Sequence, residues 1–186
     1  MRNRYLLMRH GHSQANARGL IVSSPERGLA GFGLSPEGGA QLEALLADWR
    51  WPVPTGIVHS DFRRTTETAA RVAARFGLAL AAEPGLRERH FGELEGQGDH
   101  HYPEVWARDA ESAEHRAFGV EPLTAVAERM GGVIAGLEAR HQGETLLLVS
   151  HGDPLQILLT ALVGRPLTRH REGAPLAPAS ITPYPG

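Results

Sequence analysis

Short apolar runs alternate along the chain with longer stretches in which apolar residues recur at helical spacing. Four of these runs predict strands, at residues 5–8, 56–59, 78–82 and 145–150. The last run is apolar on both faces, which predicts a central place in the sheet. Residues 179–182 lie in a proline-rich stretch and predict a short edge strand, because proline cannot donate a hydrogen bond to a neighbour.

The stretches between the predicted strands predict helices. Ser35-Pro36-Glu37 is a typical helix start, with a capping serine, proline in the first turn and an acidic residue near the positive end. Three further helices are predicted over residues 62–76, 126–137 and 153–163. Alternating strands and helices predict an α/β fold with a mostly parallel central sheet and helices on both faces.

Polar residues with catalytic potential follow two of these strands directly. Arg9 and His10 end the first strand, and His151 ends the run at 145–150; a glycine follows each histidine. In open α/β sheets ligands bind at this edge, where arginine can bind phosphate or carboxylate and glycine allows a ligand to come close. On these residues alone, a strand that ends in a polar turn is an equally good interpretation.

Two further polar stretches add charge. Arg63 and Arg64 lie in the first turn of a predicted helix, where cations are unfavourable unless an anion lies nearby. The alternative is a pair of solvated arginines. Glu88, Glu93 and Glu95 lie in a charged loop after the strand at 78–82.

Composition limits the class of protein. The 186 residues, 41% hydrophobic and 22% charged, predict one globular domain over 1–186. A net charge of −2 does not favour nucleic acid, and no stretch is long and apolar enough for a membrane span. All 19 basic residues are arginine and cysteine is absent, which excludes lysine and thiolate chemistry. Without an apolar leader, a cytoplasmic protein is expected.

Residues 97–121 are the least regular part and predict a small cap excursion. They contain His100, His101 and His115 among several acidic residues. The spacing matches no metal-ligand motif, so a solvated excursion is favoured over a metal site.

The order of four motifs resembles the histidine phosphatase superfamily, the phosphoglycerate-mutase-like group, in its branch with phosphatase activity. They are Leu-Met-Arg-His-Gly-His-Ser-x-x-Asn from Leu7, Ser-x-x-x-Arg from Ser60, Leu-x-Glu-x-x-x-Gly from Leu86, and Val-Ser-His-Gly from Val149. The second motif departs from the usual Ser-x-Leu-x-Arg-Ala, since phenylalanine replaces leucine and threonine replaces alanine.

The resemblance implies a three-layer α/β/α fold. Neither a metal nor a cofactor is expected, because the arginines can supply the positive charge that a metal would provide. It makes His10 the phosphorylated nucleophile and Glu88 the proton donor, with Glu93 and Glu95 as less favoured rivals. It implies phosphate-binding roles for the residues of the strand tips and the helix start: Arg9, Asn16, Arg64, His151 and Gly152.

A phosphomonoesterase acting on a small phosphorylated metabolite is therefore expected, with that substrate as the partner and a homodimer left open. The alternative is a cofactor-dependent phosphoglycerate mutase. The excursion holds only Arg108 and Arg116 among at least five acidic residues, too little positive charge to enclose a bisphosphate. A binding protein without turnover and a metal-dependent hydrolase are weaker alternatives.

Overall fold

The computed structural model describes residues 1–185. Its strands are β1 (Arg4–Arg9), β2 (Gly56–His59), β3 (Leu80–Ala82), β4 (Thr145–Ser150) and β5 (Ile181–Tyr184). Its α-helices are α1 (Gln14–Arg18), α2 (Pro25–Gly28), α3 (Pro36–Ala47), α4 (Arg63–Phe76), α5 (Tyr102–Glu111), α6 (Leu123–Arg140) and α7 (Gly152–Leu162). Within residues 1–185, no helix is both long and apolar enough to cross a membrane.

The five strands form one sheet in the order β3-β2-β4-β1-β5. β1, β2, β3 and β4 pair in parallel, and only β5 runs antiparallel, beside β1 at one edge. The predicted central place of β4 is confirmed. The register pairs Arg9 with Ser150, so that the next residues along, His10 and His151, leave adjacent strands side by side.

Helices cover both faces of the sheet, because successive strand residues point to opposite sides. On one face Leu7 and Leu148 pack with apolar residues of α6 and α7. On the other face Met8 and Val149 join a cluster with residues of α3 and α4. The predicted three-layer α/β/α fold is confirmed.

Some boundaries differ from those predicted. The chain turns into α1 directly after β1, where Ser13 and Asn16 form a reciprocal capping box. β3 begins at Leu80 rather than residue 78, because the left-handed Gly77 ends α4 and the chain needs two residues to reach the sheet. The C-terminal edge strand lies at Ile181–Tyr184, two residues beyond the predicted 179–182.

Residues 97–121 are more ordered than the predicted solvated excursion. They contain α5, and Val105 and Val120 are buried in a third apolar cluster with Phe91. Asp109 is fully buried and the His115 side chain is only 11% exposed, because both belong to an ion-pair network described below. That 1–186 is a single domain and that 97–121 caps the site stay predictions.

Candidate active site

The tips of β1 and β4 and the start of α4 meet at one edge of the sheet. The His10 and His151 rings lie 5.3 Å apart, centroid to centroid. The Arg64 guanidinium lies between them, with its Nε 3.2 Å from His10 Nε2 and 3.2 Å from His151 Nδ1. Two histidines from separate motifs therefore share one hydrogen-bond donor, which comes from a third motif.

The surroundings of His10 fix its tautomer and its charge. Its Nδ1 lies 2.7 Å from the Gly11 carbonyl oxygen, which can only accept, so Nδ1 carries the hydrogen. Burial and the charges of Arg64 and Arg9 hold the pKa of His10 well below its usual range. His10 is therefore neutral at pH 7, with an unprotonated Nε2 facing the arginine.

His151 is held in the opposite tautomer. Its Nδ1 accepts from Arg64, so its Nε2 carries the hydrogen and donates to the Ser60 hydroxyl oxygen at 2.9 Å. Burial, followed by the charge of Arg64, lowers the pKa of His151 well below its usual value. The sequence placed Ser60 at the head of the second motif but did not reveal that it orients this ring.

Arg64 is buried, yet part of its hydrogen-bonding capacity is unused. Its Nη2 donates to the Val22 carbonyl oxygen at 2.9 Å and lies 3.6 Å from Glu88 Oε2. Its Nη1 is buried and has no hydrogen-bond partner within residues 1–185. A buried unpaired donor on a cation is costly, so this nitrogen is suited to an anion that enters from outside.

Arg9 shows the same pattern on the other side. Its Nη1 donates to the Leu176 carbonyl oxygen at 2.5 Å, while its buried Nε has no partner in the described part of the chain. Gly152 leaves room for this guanidinium, because a Cβ there would come within 3.3 Å of Arg9 Nε. Gly152 also begins α7, whose positive end therefore faces the same space.

Gly11 serves packing rather than ligand access, which corrects the expectation from its sequence position. A Cβ at Gly11 would come within 3.1 Å of the Leu34 side chain and 3.3 Å of the Gly38 carbonyl oxygen. Its amide nitrogen donates to the Thr68 hydroxyl at 3.1 Å. The glycine thus lets the turn after β1 lie close against α3 and α4.

The Glu88 carboxyl group lies opposite the two histidines. Its Oε2 is 3.7 Å from His151 Nδ1, and its Oε1 accepts from the Arg89 amide at 2.9 Å. Burial raises the pKa of Glu88 to about 7; Arg64 opposes this shift and the negative charge of Asp153 adds to it. At neutral pH this carboxyl group is therefore partly protonated.

A buried ion-pair network, which sequence reasoning missed, holds the loop that carries Glu88. Arg89 is fully buried and donates to both oxygens of Asp109 on α5, at 2.7 and 2.8 Å, and to Asp153 at 3.2 Å. His115 and His170 contact the same carboxylates. The partners lie far apart in sequence, so no local pattern predicts that they pair. The run of charged residues around position 88 is the one feature of the sequence that could have suggested an ion-pair network.

Beside this network, Arg9 and Glu88 help to line a cavity with two parts. The inner part, about 60 Å³, includes Arg9, His10, Asn16, Arg64 and Glu88 in its wall. The outer part, about 390 Å³, shares Arg9, Asn16 and Glu88 and also touches Gly152. Its other walls are residues that the sequence did not single out: Phe91, Asp99, Tyr102, Trp106, Asp153, Gln156, Arg171, Pro175 and Leu176.

The less favoured candidates, Glu93 and Glu95 for the proton donor and Arg63 for the phosphate ligand, do not line this cavity. Glu95 binds the amide and hydroxyl of Ser23 through its Oε2, and Glu93 is exposed. Arg63 is half exposed and pairs with Glu67 at 2.7 Å.

Asn16 lines the cavity, although its Oδ1 is occupied by Ser13 in the capping box.

The geometry suits a small tetrahedral anion. Arg9 and Arg64 each keep one buried nitrogen without a partner within residues 1–185, the start of α7 adds backbone dipoles, and the unprotonated Nε2 of His10 faces Arg64. Among residues 1–185, no group of three or more His, Asp or Glu side chains is arranged to hold a metal ion.

The chain is similar to proteins of known sequence over most of its length. It is 29% identical to a metal-independent phosphoserine phosphatase of Arabidopsis thaliana, over 82% of this chain and 66% of that protein. It is 30% identical to a probable phosphoglycerate mutase of Escherichia fergusonii, over 89% of this chain and 77% of that protein.

Comparison with solved structures gives the same grouping. A mycobacterial glucosyl-3-phosphoglycerate phosphatase superposes with a TM-score of 0.81 at 28% identity, covering 97% of this chain and 88% of that one. A protein of Bacillus stearothermophilus, YhfR, superposes with a TM-score of 0.81 at 24% identity over 97% and 90% of the two chains, which shows the shared fold.

The family model for the histidine phosphatase superfamily, branch 1, matches residues 5–184. The match extends beyond the four motifs to β5 at the edge of the sheet. The resemblance inferred from those motifs is thereby confirmed, and the chain belongs to branch 1 of the histidine phosphatase superfamily.

Proposed function

We propose that this protein is a phosphomonoesterase that hydrolyses a small phosphorylated metabolite through a phosphohistidine on His10. The observation that carries the proposal is the neutral His10, whose unprotonated Nε2 lies beside Arg64, a buried arginine whose Nη1 has no partner within residues 1–185. The phosphatases among its relatives support the same class of reaction.

In the first step, the His10 Nε2 lone pair forms a bond to phosphorus while the bond from phosphorus to the ester oxygen breaks. Arg9 and Arg64 bind the non-bridging oxygens and offset the charge that they carry in the transition state. For this the Arg64 Nε–H must turn from the two imidazoles to the phosphoryl group. His151 stays in place through Ser60.

Glu88 gives its proton to the departing ester oxygen, because an alkoxide is a poor leaving group without protonation. The carboxylate that remains can take a proton from water in the second step. That water attacks phosphorus, the phosphorus–nitrogen bond breaks, and inorganic phosphate and neutral His10 are restored. A pKa of about 7 allows Glu88 to act in both directions.

The proposal needs no metal ion, since the two arginines supply the positive charge that a metal would otherwise provide. The relative from Arabidopsis thaliana is itself named as metal-independent.

Hydrolysis is favoured over mutase activity by the walls of the outer cavity. A mutase must retain a bisphosphate and keep water away until the second transfer. Arg108 and Arg116, the two basic residues of 97–121 considered above, do not line the cavity, and α5 contributes Tyr102 and Trp106 instead. Because a probable phosphoglycerate mutase is among the relatives, mutase activity is the alternative that has to be tested.

The first prediction separates these two functions. With 3-phosphoglycerate as substrate, we expect release of inorganic phosphate to be faster than formation of 2-phosphoglycerate, independent of 2,3-bisphosphoglycerate and resistant to EDTA. Both products can be followed in one reaction by phosphorus NMR. Interconversion much faster than phosphate release would establish the mutase instead.

The second prediction concerns Glu88. Glu88→Gln should reduce kcat/KM for alkyl phosphates by about 10²–10⁴-fold, and much less for p-nitrophenyl phosphate, whose leaving group needs little protonation. Glu93→Gln, at an exposed position in the same loop, is the matched control and should change neither. Equal losses on both substrates in Glu88→Gln would show a merely structural carboxyl group.

The same carboxyl group sets the third prediction, a pH dependence. Glu88 must be protonated to act as the acid, so kcat/KM for an alkyl phosphate should fall as pH rises through about 7. A kcat/KM profile over pH 5–9 measures this, and in Glu88→Gln the decline should disappear. A wild-type profile flat across this range would contradict the assignment.

The fourth prediction compares neighbouring arginines. Arg64→Ala should weaken binding of vanadate by about 10- to 100-fold, since it removes charge-assisted hydrogen bonds to a buried anion. Arg63→Ala removes only a surface pair with Glu67 and should have little effect. Isothermal titration with vanadate, with melting curves of both variants as a folding control, decides between them. The opposite ranking would place the phosphate at Arg63.

A further inference from the structure

A tyrosine at the start of α5 lies where the two parts of the cavity meet, and the proposed mechanism does not use it. Tyr102 lines both the inner and the outer part, as do Arg9, Asn16 and Glu88. The inner part would hold the phosphoryl group of a bound ester and the outer part its alcohol portion. The ester oxygen that joins the two would therefore lie at the level of Tyr102.

The hydroxyl group of Tyr102 is the one tyrosine hydroxyl without a protein partner. Tyr5 donates to Glu138 Oε1 at 2.6 Å. Tyr184 donates to the Leu162 carbonyl oxygen at 3.0 Å. No hydrogen bond within residues 1–185 involves the hydroxyl of the half-buried Tyr102. Because tyrosine hydroxyls that leave bulk water normally find a partner, this one is suited to a ligand in the cavity.

Aromatic neighbours fix the position of the Tyr102 ring. Phe91 meets it edge to face, with the ring centroids 4.9 Å apart. Trp106 stacks on it at 5.4 Å with an interplanar angle of 10°. The indole is itself held by Arg171, whose Cζ lies 3.7 Å from its centroid, and by a hydrogen bond from its Nε1 to Asp153. The ring therefore presents its hydroxyl at a defined place without paying for new order when substrate binds.

The Tyr102 hydroxyl keeps its hydrogen. Burial and the negative charge of Glu88 raise the pKa of Tyr102 above its usual range, and the charge of Arg64 only partly opposes this. Both charged groups line the inner part of the cavity with Tyr102. At the pH of the reaction the phenol is thus neutral, so it can donate one hydrogen bond and accept others on its oxygen.

We propose that Tyr102 is a catalytic residue whose hydroxyl binds the oxygen opposite His10 Nε2, the ester oxygen in the first step and the water oxygen in the second. This rests on the proposed phosphatase function and deepens it. In the first step the ester oxygen takes the Glu88 proton on one lone pair and accepts a hydrogen bond from Tyr102 on the other, while its bond to phosphorus breaks.

In the second step the same hydroxyl reverses its role. The attacking water gives one hydrogen to the Glu88 carboxylate and donates its other hydrogen to the Tyr102 oxygen, which leaves a lone pair of the water aimed at phosphorus. Tyr102 keeps its own proton in both steps. A hydroxyl suits this place because it can donate to one oxygen and accept from the other.

The test of the first step is Tyr102→Phe, which removes the hydroxyl and keeps the packed ring. On glycerol 3-phosphate, kcat/KM should fall by about 10- to 100-fold, the range expected for a hydrogen bond to an oxygen that becomes charged. On p-nitrophenyl phosphate, whose leaving group needs little stabilisation, kcat/KM should change little. A merely structural tyrosine would not separate the two esters.

The second step is measured on its own. Enzyme labelled on His10 with ³²P is separated from substrate, and the release of labelled phosphate to water is followed. Tyr102→Phe should slow this release by about 10-fold, as expected for the loss of a hydrogen bond to a neutral water. The slowing should be the same whether glycerol 3-phosphate or p-nitrophenyl phosphate supplied the label.

Two control variants accompany Tyr102→Phe, each with a melting curve. Tyr184→Phe removes a tyrosine hydroxyl outside the cavity and should leave the kinetics of both steps unchanged. Tyr102→Leu removes the ring as well as the hydroxyl. If Tyr102→Phe matched the wild-type enzyme and only Tyr102→Leu were impaired, the ring rather than the hydroxyl would matter and the inference would be overturned.

Other results would also contradict the inference. Equal losses of kcat/KM on both esters in Tyr102→Phe would place the hydroxyl on a non-bridging phosphoryl oxygen. Unchanged release of label would remove the role in the second step. In either case a wild-type enzyme that hydrolyses both esters through labelled His10 would leave the proposed function standing. A wild-type enzyme that hydrolyses neither ester would overturn the proposed function and this inference with it.

Discussion

The site depends on one buried guanidinium shared by two neutral imidazoles. Arg64 places its Nε within 3.2 Å of both His10 and His151, in a region from which water is nearly excluded. Neither imidazole can become charged there without strong repulsion from the arginine. The same repulsion keeps the nucleophilic nitrogen unprotonated at neutral pH, and a dianion that enters the site would offset it.

The fold makes this arrangement possible by register and helix placement. The parallel pairing of β1 with β4 aligns the two histidines, and the first turn of α4 delivers Arg64 between them. The positive end of a helix repels a cation, so Arg64 in the first turn of α4 lowers the stability of the fold until an anion binds beside it. Burial of the two apolar faces of the sheet supplies the stability that compensates for this repulsion.

Much of this could be predicted from the sequence. Apolar runs locate the strands, and strand tips locate Arg9, His10 and His151, because periodicity and strand ends are local properties. The role of Glu88 was predicted only from the family motif, since a charged loop has no hydrophobic periodicity from which it could be located. The two-residue errors at β3 and β5 arose where short runs lack a clear boundary.

The remaining features depend on contacts between distant residues. Asp109 was expected in solvent, but it is buried because Arg89, twenty positions earlier, requires a partner. Trp106 and Arg171 are likewise far apart in sequence, and neither belongs to a motif. Nothing local distinguishes such side chains from ordinary surface residues, so only the folded chain reveals the outer wall of the cavity.

The central claim is that His10 Nε2 becomes covalently phosphorylated. The most direct measurement is a rapid acid-free quench of enzyme mixed with a ³²P-labelled substrate, followed by peptide mapping. We expect stoichiometric label on His10 that is stable to base and lost in acid, as a phosphoramidate requires, with none in His10→Ala. Label that survives acid, or that persists in His10→Ala, would contradict this account.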